Sequence, residues 1–381
     1  MIQRSRVICL AGGLLLLAIF LSACGSPQVA QNWPGLTMAG DSVYIISGVP
    51  QQVYIVDAEE GVEKATFKPD GDFQGVLYWS PVTVAEDVAF VGFAESQTGN
   101  AGLYAFDAET GQELWHTQEG LVENLIIPAP VYAEGTVYFG DSDGKVYAVD
   151  VETRAIKVGW PFQAEEAIWA SPLIAGQRLY VAAMDHHLYC LDAESGEMLW
   201  KTELEGAMAA SPVLDETRNR LYVGTFDGRV YAIDAETGEA FQGSDFRAEN
   251  WIWSQALLAD GLVYVTSLDG RLYALDPDTG EVVPPFPYDS GETSSGPDVL
   301  RAAPIKAGEY VVVATESGRV VATSNAQQQW SWPSGVPEAE IYTTPVFSEG
   351  MIYVILVDGQ LVKIDAESGG QRWVFKPEAE E

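Results

Sequence analysis

The chain has 381 residues, 47% of them apolar, with 20 Lys+Arg against 55 Asp+Glu and a formal net charge of −35. That length and apolar content exclude disorder as the main state and allow either several ordinary domains or one large repeat architecture. The charge repels phosphate backbones with no local Lys/Arg cluster to offset it, which excludes nucleic acid as a partner, and three cysteines, Cys9, Cys24 and Cys190, exclude a disulfide scaffold.

In chain order, the first element is an address. Arg4 and Arg6 precede a nearly uncharged apolar run from Val7 to Leu21, followed by Ser22-Ala23-Cys24-Gly25. A positive n-region, an apolar h-region and a small-residue cleavage site make the pattern of a secretory signal. Leu21-Ser22-Ala23-Cys24 resembles the bacterial lipobox, which implies cleavage before Cys24 and attachment of diacylglycerol to its sulfur. The alternative is an uncleaved membrane anchor, for which about 17 apolar residues fall short of the roughly 20 that span a bilayer core. The expected organisation is a signal peptide at 1–23, a lipidated tether at 24–32 and one folded domain at 33–381.

Beyond the tether the chain repeats. Leu-Tyr-Ala-x-Asp-Ala-Glu-Thr-Gly-Glu recurs with its Asp at Asp57, Asp107, Asp150, Asp192, Asp234, Asp276 and Asp365, spaced by 50, 43, 42, 42, 42 and 89 residues. The last gap holds a degenerate copy, Val320-Val321-Ala322-Thr323, with Ser324 in place of Asp. Eight units averaging about 45 residues have the period of propeller blades rather than of helical repeats. Within each unit the apolar pattern alternates as in strands, as at Arg178 to Ala182 and Leu188 to Leu191. Asp143-Gly144, Asp227-Gly228, Asp269-Gly270 and Asp358-Gly359 are tight-hairpin pairs, and Asp-x-Glu-Thr-Gly supplies a side-chain acceptor and a left-handed Gly for the next turn. Four antiparallel strands repeated eight times bury both faces only when stacked radially, so an all-β, eight-bladed β-propeller of four-stranded antiparallel blades is predicted. Val282 to Pro287 and Asp289 to Asp298 are expected to form the longest non-strand insertion, stiffened by proline.

These units resemble the pyrroloquinoline-quinone (PQQ) type repeat, Ala-x-Asp-x-x-Thr-Gly-x-x-x-Trp. Ala105, Asp107, Thr110, Gly111 and Trp115 match it fully; Cys190 to Trp200 and Lys363 to Trp373 match with two changes each; Ala322 and Trp332 survive without the Asp. The Trp is displaced to Trp160 in one copy and replaced by Gln242 and Pro284 in two others. The resemblance implies that Trp115, Trp200, Trp332 and Trp373 dock between neighbouring blades as structural staples.

The same resemblance raises a quinoprotein dehydrogenase using PQQ and Ca²⁺. The alcohol-oxidising branch carries a vicinal Cys pair, long insertions and a catalytic Asp among calcium ligands. None of these is found here, so neither PQQ nor calcium is expected as a cofactor and no catalytic residue is assigned. No Gly-x-Ser-x-Gly elbow is present, and the histidines are His116, His186 and His187. His186-His187 with Asp185 and Cys190 could suggest a transition metal, but adjacent strand residues face opposite sides and Cys190 holds the buried Ala position of the repeat, so a plain hairpin is expected and no metal site. Asp141-Ser142-Asp143-Gly144 lacks the further acids of a calcium loop.

One column is not explained by the repeat. Three residues before the inner-strand Pro stand Trp33, Tyr78, Ile127, Trp169, Ala209, Trp253, Arg301 and Tyr342; the residue before each is almost always apolar. Alternation places Trp33, Tyr78, Trp169, Trp253, Arg301 and Tyr342 near one mouth of the central channel, either as a binding ring or as caps of the inter-blade core. Secretion, a lipid tether and a propeller without identifiable chemistry resemble the propeller lipoprotein family of the outer-membrane β-barrel assembly machinery. That resemblance implies a non-catalytic scaffold, held on a membrane through Cys24, with a protein partner from the assembly machinery or another envelope protein. Alternatives are an extracytoplasmic small-ligand-binding or sensor propeller and, third, a PQQ-dependent dehydrogenase. The location implied is the periplasmic face of the outer membrane in a diderm, or the outer face of the cytoplasmic membrane in a monoderm.

Overall fold

The computed structural model describes residues 35–47, 51–67, 69, 76–95, 99–241, 246–337 and 339–377. The signal, Cys24, the tether and Trp33 lie outside the described residues. Every regular element among those described is a β-strand. Eight antiparallel sheets succeed one another over residues 36–67, 76–116, 131–163, 173–203, 213–234, 257–289, 305–332 and 346–375, and are numbered blades 1 to 8. Successive inner strands neighbour one another around the channel and the last, Val346–Ser348, lies beside the first, Leu36–Ala39. This is the predicted eight-bladed propeller.

Blade 4 shows how the sequence builds each unit. Leu173–Ala175, Arg178–Ala182, His187–Asp192 and Met198–Glu203 pair in order. The two middle strands are buried on both faces, because neighbouring blades cover them, and so read as nearly continuous apolar runs. Blade 2 adds a fifth strand, Val76–Tyr78, along the end of Val88–Glu95. Blade 5 shows three strands among the described residues, followed by a single bridge between Ile233 and Ala240. The Pro-rich stretch is more ordered than its composition predicts: Tyr288–Asp289 is the fourth strand of blade 6, and Glu292–Thr293 pairs with Gly296–Pro297 in a small hairpin.

The motif aspartates close the outer turns. Asp192 Oδ1 accepts the Ser195 amide and hydroxyl, both at 2.8 Å, while Gly196 takes φ 74°, the left-handed conformation that a β-carbon disfavours. The donors of Thr110, Thr153, Ser195, Thr237, Thr279 and Ser368 hold the carboxyls of Asp107, Asp150, Asp192, Asp234, Asp276 and Asp365 below the ordinary carboxylate range. A folded-state value below the unfolded one adds stability above the unfolded value of about 3.9 and forfeits it as pH falls through the folded value. The melting temperature is therefore expected to hold at neutral pH and to drop between about pH 5 and about pH 2; a flat profile across that window in circular dichroism would contradict this role.

At four junctions an indole at the outer edge of one blade, from Trp160, Trp200, Trp330 or Trp373, covers the turn glycine of the next. Trp115 is 8% exposed and packs at 6.0 Å from Phe90. A β-carbon added to Gly238 would lie 2.7 Å from the Trp200 indole, and one on Gly61 2.5 Å from that of Trp373. Trp160, followed by a cis bond to Pro161, is 8% exposed and lies edge-on to Tyr138 at 5.7 Å, so the displaced Trp still reaches the junction.

Trp332 does not. In blade 7 the turn is two residues shorter than Asp-x-x-Thr-Gly, with Asn325 and Ala326 both at positive φ, so Ala322 faces Trp330 as Cys190 faces Trp200. Trp330 covers Gly369 and donates Nε1–H to the Ala366 carbonyl at 3.1 Å. Trp332 instead donates to Gln371 Oε1 at 3.2 Å. Trp330→Ala is expected to cost about 1–2 kcal/mol more than Trp332→Ala in chemical denaturation, the reverse of what motif spacing implies; an equal or inverted pair of losses would contradict the assignment.

A second fastening was not visible in the motif. The second-strand tyrosines Tyr44, Tyr138, Tyr180, Tyr222 and Tyr353 each donate their hydroxyl to a carbonyl of the following blade's outer turn, at 2.7–3.2 Å. The last of these runs from blade 8 to Ala58 of blade 1, alongside Trp373 Nε1 on the Glu59 carbonyl at 3.0 Å and Lys363 Nζ on the Glu59 carboxylate at 2.9 Å. Among the described residues the ring thus closes by side-chain packing between two blades, each built from its own continuous segment, without a shared strand.

Candidate functional site

The site is built on the segments that lead into the inner strands. The second residue beyond each second strand donates its N–H to the carbonyl five residues before the inner-strand Pro position. These bonds join Ser142 to Leu125, Met184 to Ala167, Phe226 to Ala207, Leu268 to Trp251, Glu316 to Val299 and Val357 to Glu340, at 2.8–3.0 Å. The next residue, Ile126, Ile168, Met208, Ile252, Leu300 or Ile341, is buried. Glycine makes that burial possible where it occurs: a β-carbon on Gly140 would lie 2.3 Å from Ile168, and one on Gly224 2.2 Å from Ile252. With that residue turned inward, alternation turns its two neighbours outward.

The outward residues of four lead-ins meet. Trp169 and Trp253 stand 6.3 Å apart between ring centres, reaching each other past the small Ala209 of the intervening lead-in. The Arg301 guanidinium lies 5.3 Å from the Trp253 ring centre and 5.5 Å from that of Tyr342. Two aromatics outside the predicted column complete the cluster. Phe226 stacks on Trp251 at 4.5 Å and on Trp253 at 5.1 Å, and the two indoles lie 6.5 Å apart and 16° from parallel. A phenyl ring thus stacks on two nearly parallel indoles. Trp169, Phe226, Trp251, Trp253, Arg301 and Tyr342 are all half-buried.

Of the other two predicted members, one is placed elsewhere. Trp33 lies outside the described residues. Tyr78 is 1% exposed and packs against Phe67 at 6.3 Å in the core between blades 1 and 2. The reason is register: Val76–Tyr78 pairs with the long second strand of its blade, Tyr78 opposite Phe93, and the pairing reverses the alternation seen in the other lead-ins. Trp251 and Phe226 had a sequence signal. Trp251-Ile252-Trp253 is a two-residue alternation placing both indoles on one side, and Phe226 occupies the hairpin position that clamps the preceding lead-in.

The patch carries its own charges. Arg301 pairs with Glu316 at 3.1 Å, and the Tyr342 hydroxyl donates to Glu340 at 2.5 Å. Burial, with Glu340 beside it, pushes the Tyr342 phenol up, so it stays a donor at neutral pH. The lead-in carrying Trp251 is held by Asn250 Oδ1 on the Trp251 amide at 2.8 Å and by Asp269 Oδ2 on the Glu249 amide at 3.0 Å. The rings are therefore presented on a prearranged backbone, which lowers the ordering cost of binding.

The other sequence features sit in hairpins. His186 takes φ 70° where other blades have glycine, and Asp185 accepts the His187 amide at 2.9 Å and the Tyr189 hydroxyl at 2.6 Å. Cys190 is fully buried, which pushes its thiol up to about 11. Asp141 is buried and accepts the amides of Asp143 and Lys145 and the Tyr147 hydroxyl, so its loop's own donors surround it. Among the described residues no three His, Cys, Asp or Glu side chains gather as metal ligands would.

Comparison with known proteins agrees with this architecture. The family profile described as "Outer membrane protein assembly factor BamB" matches residues 26–156, 157–282 and 289–381. Proteins of that name are 35% identical over 92 residues in Aliivibrio fischeri, covering 22% of this chain and 24% of the relative, and 27% identical over 168 residues in Shewanella oneidensis, covering 38% and 40%. The matched stretches thus span less than half the length of these curated relatives. The crystal structure of BamB from Moraxella catarrhalis shares the fold with a TM-score of 0.68 at 17% identity, covering 89% of this chain and 95% of that one. A europium-containing methanol dehydrogenase also shares it, with a TM-score of 0.64 at 13% identity over 90% and 84%. Because the profile matches nearly the whole propeller, the chain belongs to the family of the outer membrane protein assembly factor BamB.

Proposed function

We propose that this protein is a non-catalytic scaffold of outer-membrane β-barrel assembly, tethered through acylated Cys24 and engaging a protein partner through the aromatic mouth. The observation that carries the reading is the half-buried cluster of Trp169, Phe226, Trp251, Trp253, Arg301 and Tyr342 on clamped lead-ins, in a chain of the BamB family. Broad, rigid aromatics with one guanidinium have the composition of interface anchors. The charges at this mouth are unfavourable to a tricarboxylate quinone: the cluster's guanidinium is engaged by Glu316, and Glu340 adds negative charge beside Tyr342. The placement proposed is the periplasmic face of the outer membrane in a diderm.

Crosslinking in native membranes tests the scaffold role. Recovery of a barrel-assembly subunit on the mature chain is the expected result, and efficient crosslinking that yields no such subunit would overturn it. Mass spectrometry of the membrane-extracted protein should find a diacylated N-terminal Cys24; an uncleaved, unmodified N-terminus would remove the tether. Dye reduction after addition of PQQ and Ca²⁺ should remain at background, and turnover of an alcohol or sugar would return the enzyme reading.

A further inference from the structure

The aromatic mouth is apolar along most of its length and acidic at one end. Met184, Leu268 and Val357 hold the place in their blades that Phe226 holds in blade 5, two residues beyond the second strand, and each is half-buried like it. In blade 7 that place belongs to Glu316, and the lead-in carrying Tyr342 has Glu340 two residues earlier. Glu316 is matched by Arg301 at 3.1 Å. Glu340 is exposed, accepts the Tyr342 hydroxyl at 2.5 Å, and is paired with no cation among the described residues.

Glu316, Arg301 and Glu340 together leave one uncompensated negative charge beside the rings. The lead-in carrying Trp169 begins with Glu165 and Glu166, both exposed and also without a cation partner among the described residues. A carboxylate next to aromatic faces favours a cation twice, by ion pairing and by attraction to the rings. An acidic occupant meets repulsion here and from a chain of net charge −35. The spacing is also informative. From Trp169 to Trp253, Arg301 and Tyr342 the steps are 6.3, 5.3 and 5.5 Å. Alternate side chains on one side of an extended chain recur about every 6.6 Å, so about six residues in that conformation follow the arc.

We propose that the mouth takes an extended apolar protein segment carrying a lysine or arginine, with its apolar side chains on Trp169, Phe226 and Trp253 and its cation on Glu340. The proposal rests on the reading of the mouth as a partner site and adds the partner's chemistry. Like-charge contact with Glu340 rejects acidic segments of the same shape, so the carboxylate sets specificity while the rings supply contact area.

The test is fluorine NMR of the mature chain with the blocked heptapeptide Gly-Leu-Gln-Phe-Gln-Arg-Gly, labelled as 4-fluorophenylalanine, against versions with Gln or Glu in place of Arg. The basic peptide should broaden and saturate, binding about fivefold more tightly than the neutral one, the scale of an exposed ion pair, and the acidic peptide should bind most weakly. Glu340→Gln, which keeps an acceptor for Tyr342, should bring the basic peptide to the level of the neutral one. Glu109→Gln with Glu152→Gln, which removes two charges from exposed outer turns, should change nothing and so separates the site from the general field of the chain. The proposal fails if no peptide binds, if the acidic peptide binds as well as the basic one, or if Glu340→Gln at unchanged melting temperature binds the basic peptide like the parent. Equal binding of all three peptides by a chain that still crosslinks to a barrel-assembly subunit would overturn the basic preference and leave the scaffold reading in place.

Discussion

Trp115→Ala is expected to lower the unfolding free energy by about 3–5 kcal/mol, the range for truncating a fully packed Trp. Trp115 is 8% exposed and lies in the core shared by blades 2 and 3, where Phe90, Phe139 and Tyr147 leave little freedom to collapse into the space. The same substitution at Trp200 should cost less. Trp200 is half-buried, and its Nε1 is buried without a partner, so truncation removes an unmet donor along with the packing. Urea unfolding of both variants with an unchanged m-value checks the ordering; a larger loss at Trp200 would mean that the ring on the glycine turn, rather than burial, sets the strength of a junction.

The fold was legible because a propeller repeats its own instructions. Asp192 and its counterparts close the outer turns as their spacing implies, and the double-sided burial of Arg178–Ala182 and His187–Asp192 appears as near-continuous apolar text. What spacing missed followed from turn length and pairing. Two residues fewer in the blade 7 turn put Trp330 rather than Trp332 over the turn glycine of blade 8. The tyrosine fastening joins residues such as Tyr138 and Ala193, whose contact exists only after neighbouring blades stack.

The mouth was legible in part for a related reason. Trp169, Trp253, Arg301 and Tyr342 come from one sequence column, and the clamp that repeats from Ser142 to Val357 keeps that column in phase. Tyr78 left the column because Val76–Tyr78 found a strand to pair with, and a one-residue change of phase exchanges the two faces of a strand. Phe226 enters from a hairpin of a different blade, and column alignment compares only equivalent positions. The sequence left open whether these aromatics cap the core or face a partner; their half-burial and their stacking on one another fit a surface patch.

Simultaneous Trp169→Ala and Trp253→Ala replacement should therefore remove partner capture while leaving the fold in place. Anchors of this kind cost about 2 kcal/mol or more each in an interface, without strict additivity, so crosslinking to a barrel-assembly subunit should fall by at least about thirtyfold. The cost to the isolated propeller is smaller. Inward burial in these lead-ins belongs to Ile168 and Ile252, and the clamps on Ala167 and Trp251 use backbone atoms that both substitutions retain. What is lost is stacking between rings, worth about 0.5–1.5 kcal/mol per pair. Leu199→Ala, on the exposed outer strand of blade 4, supplies the control and should capture the partner like the parent. Undiminished capture by the double variant would place the partner elsewhere on the disc, whereas a collapse of its melting temperature would return the rings to the core.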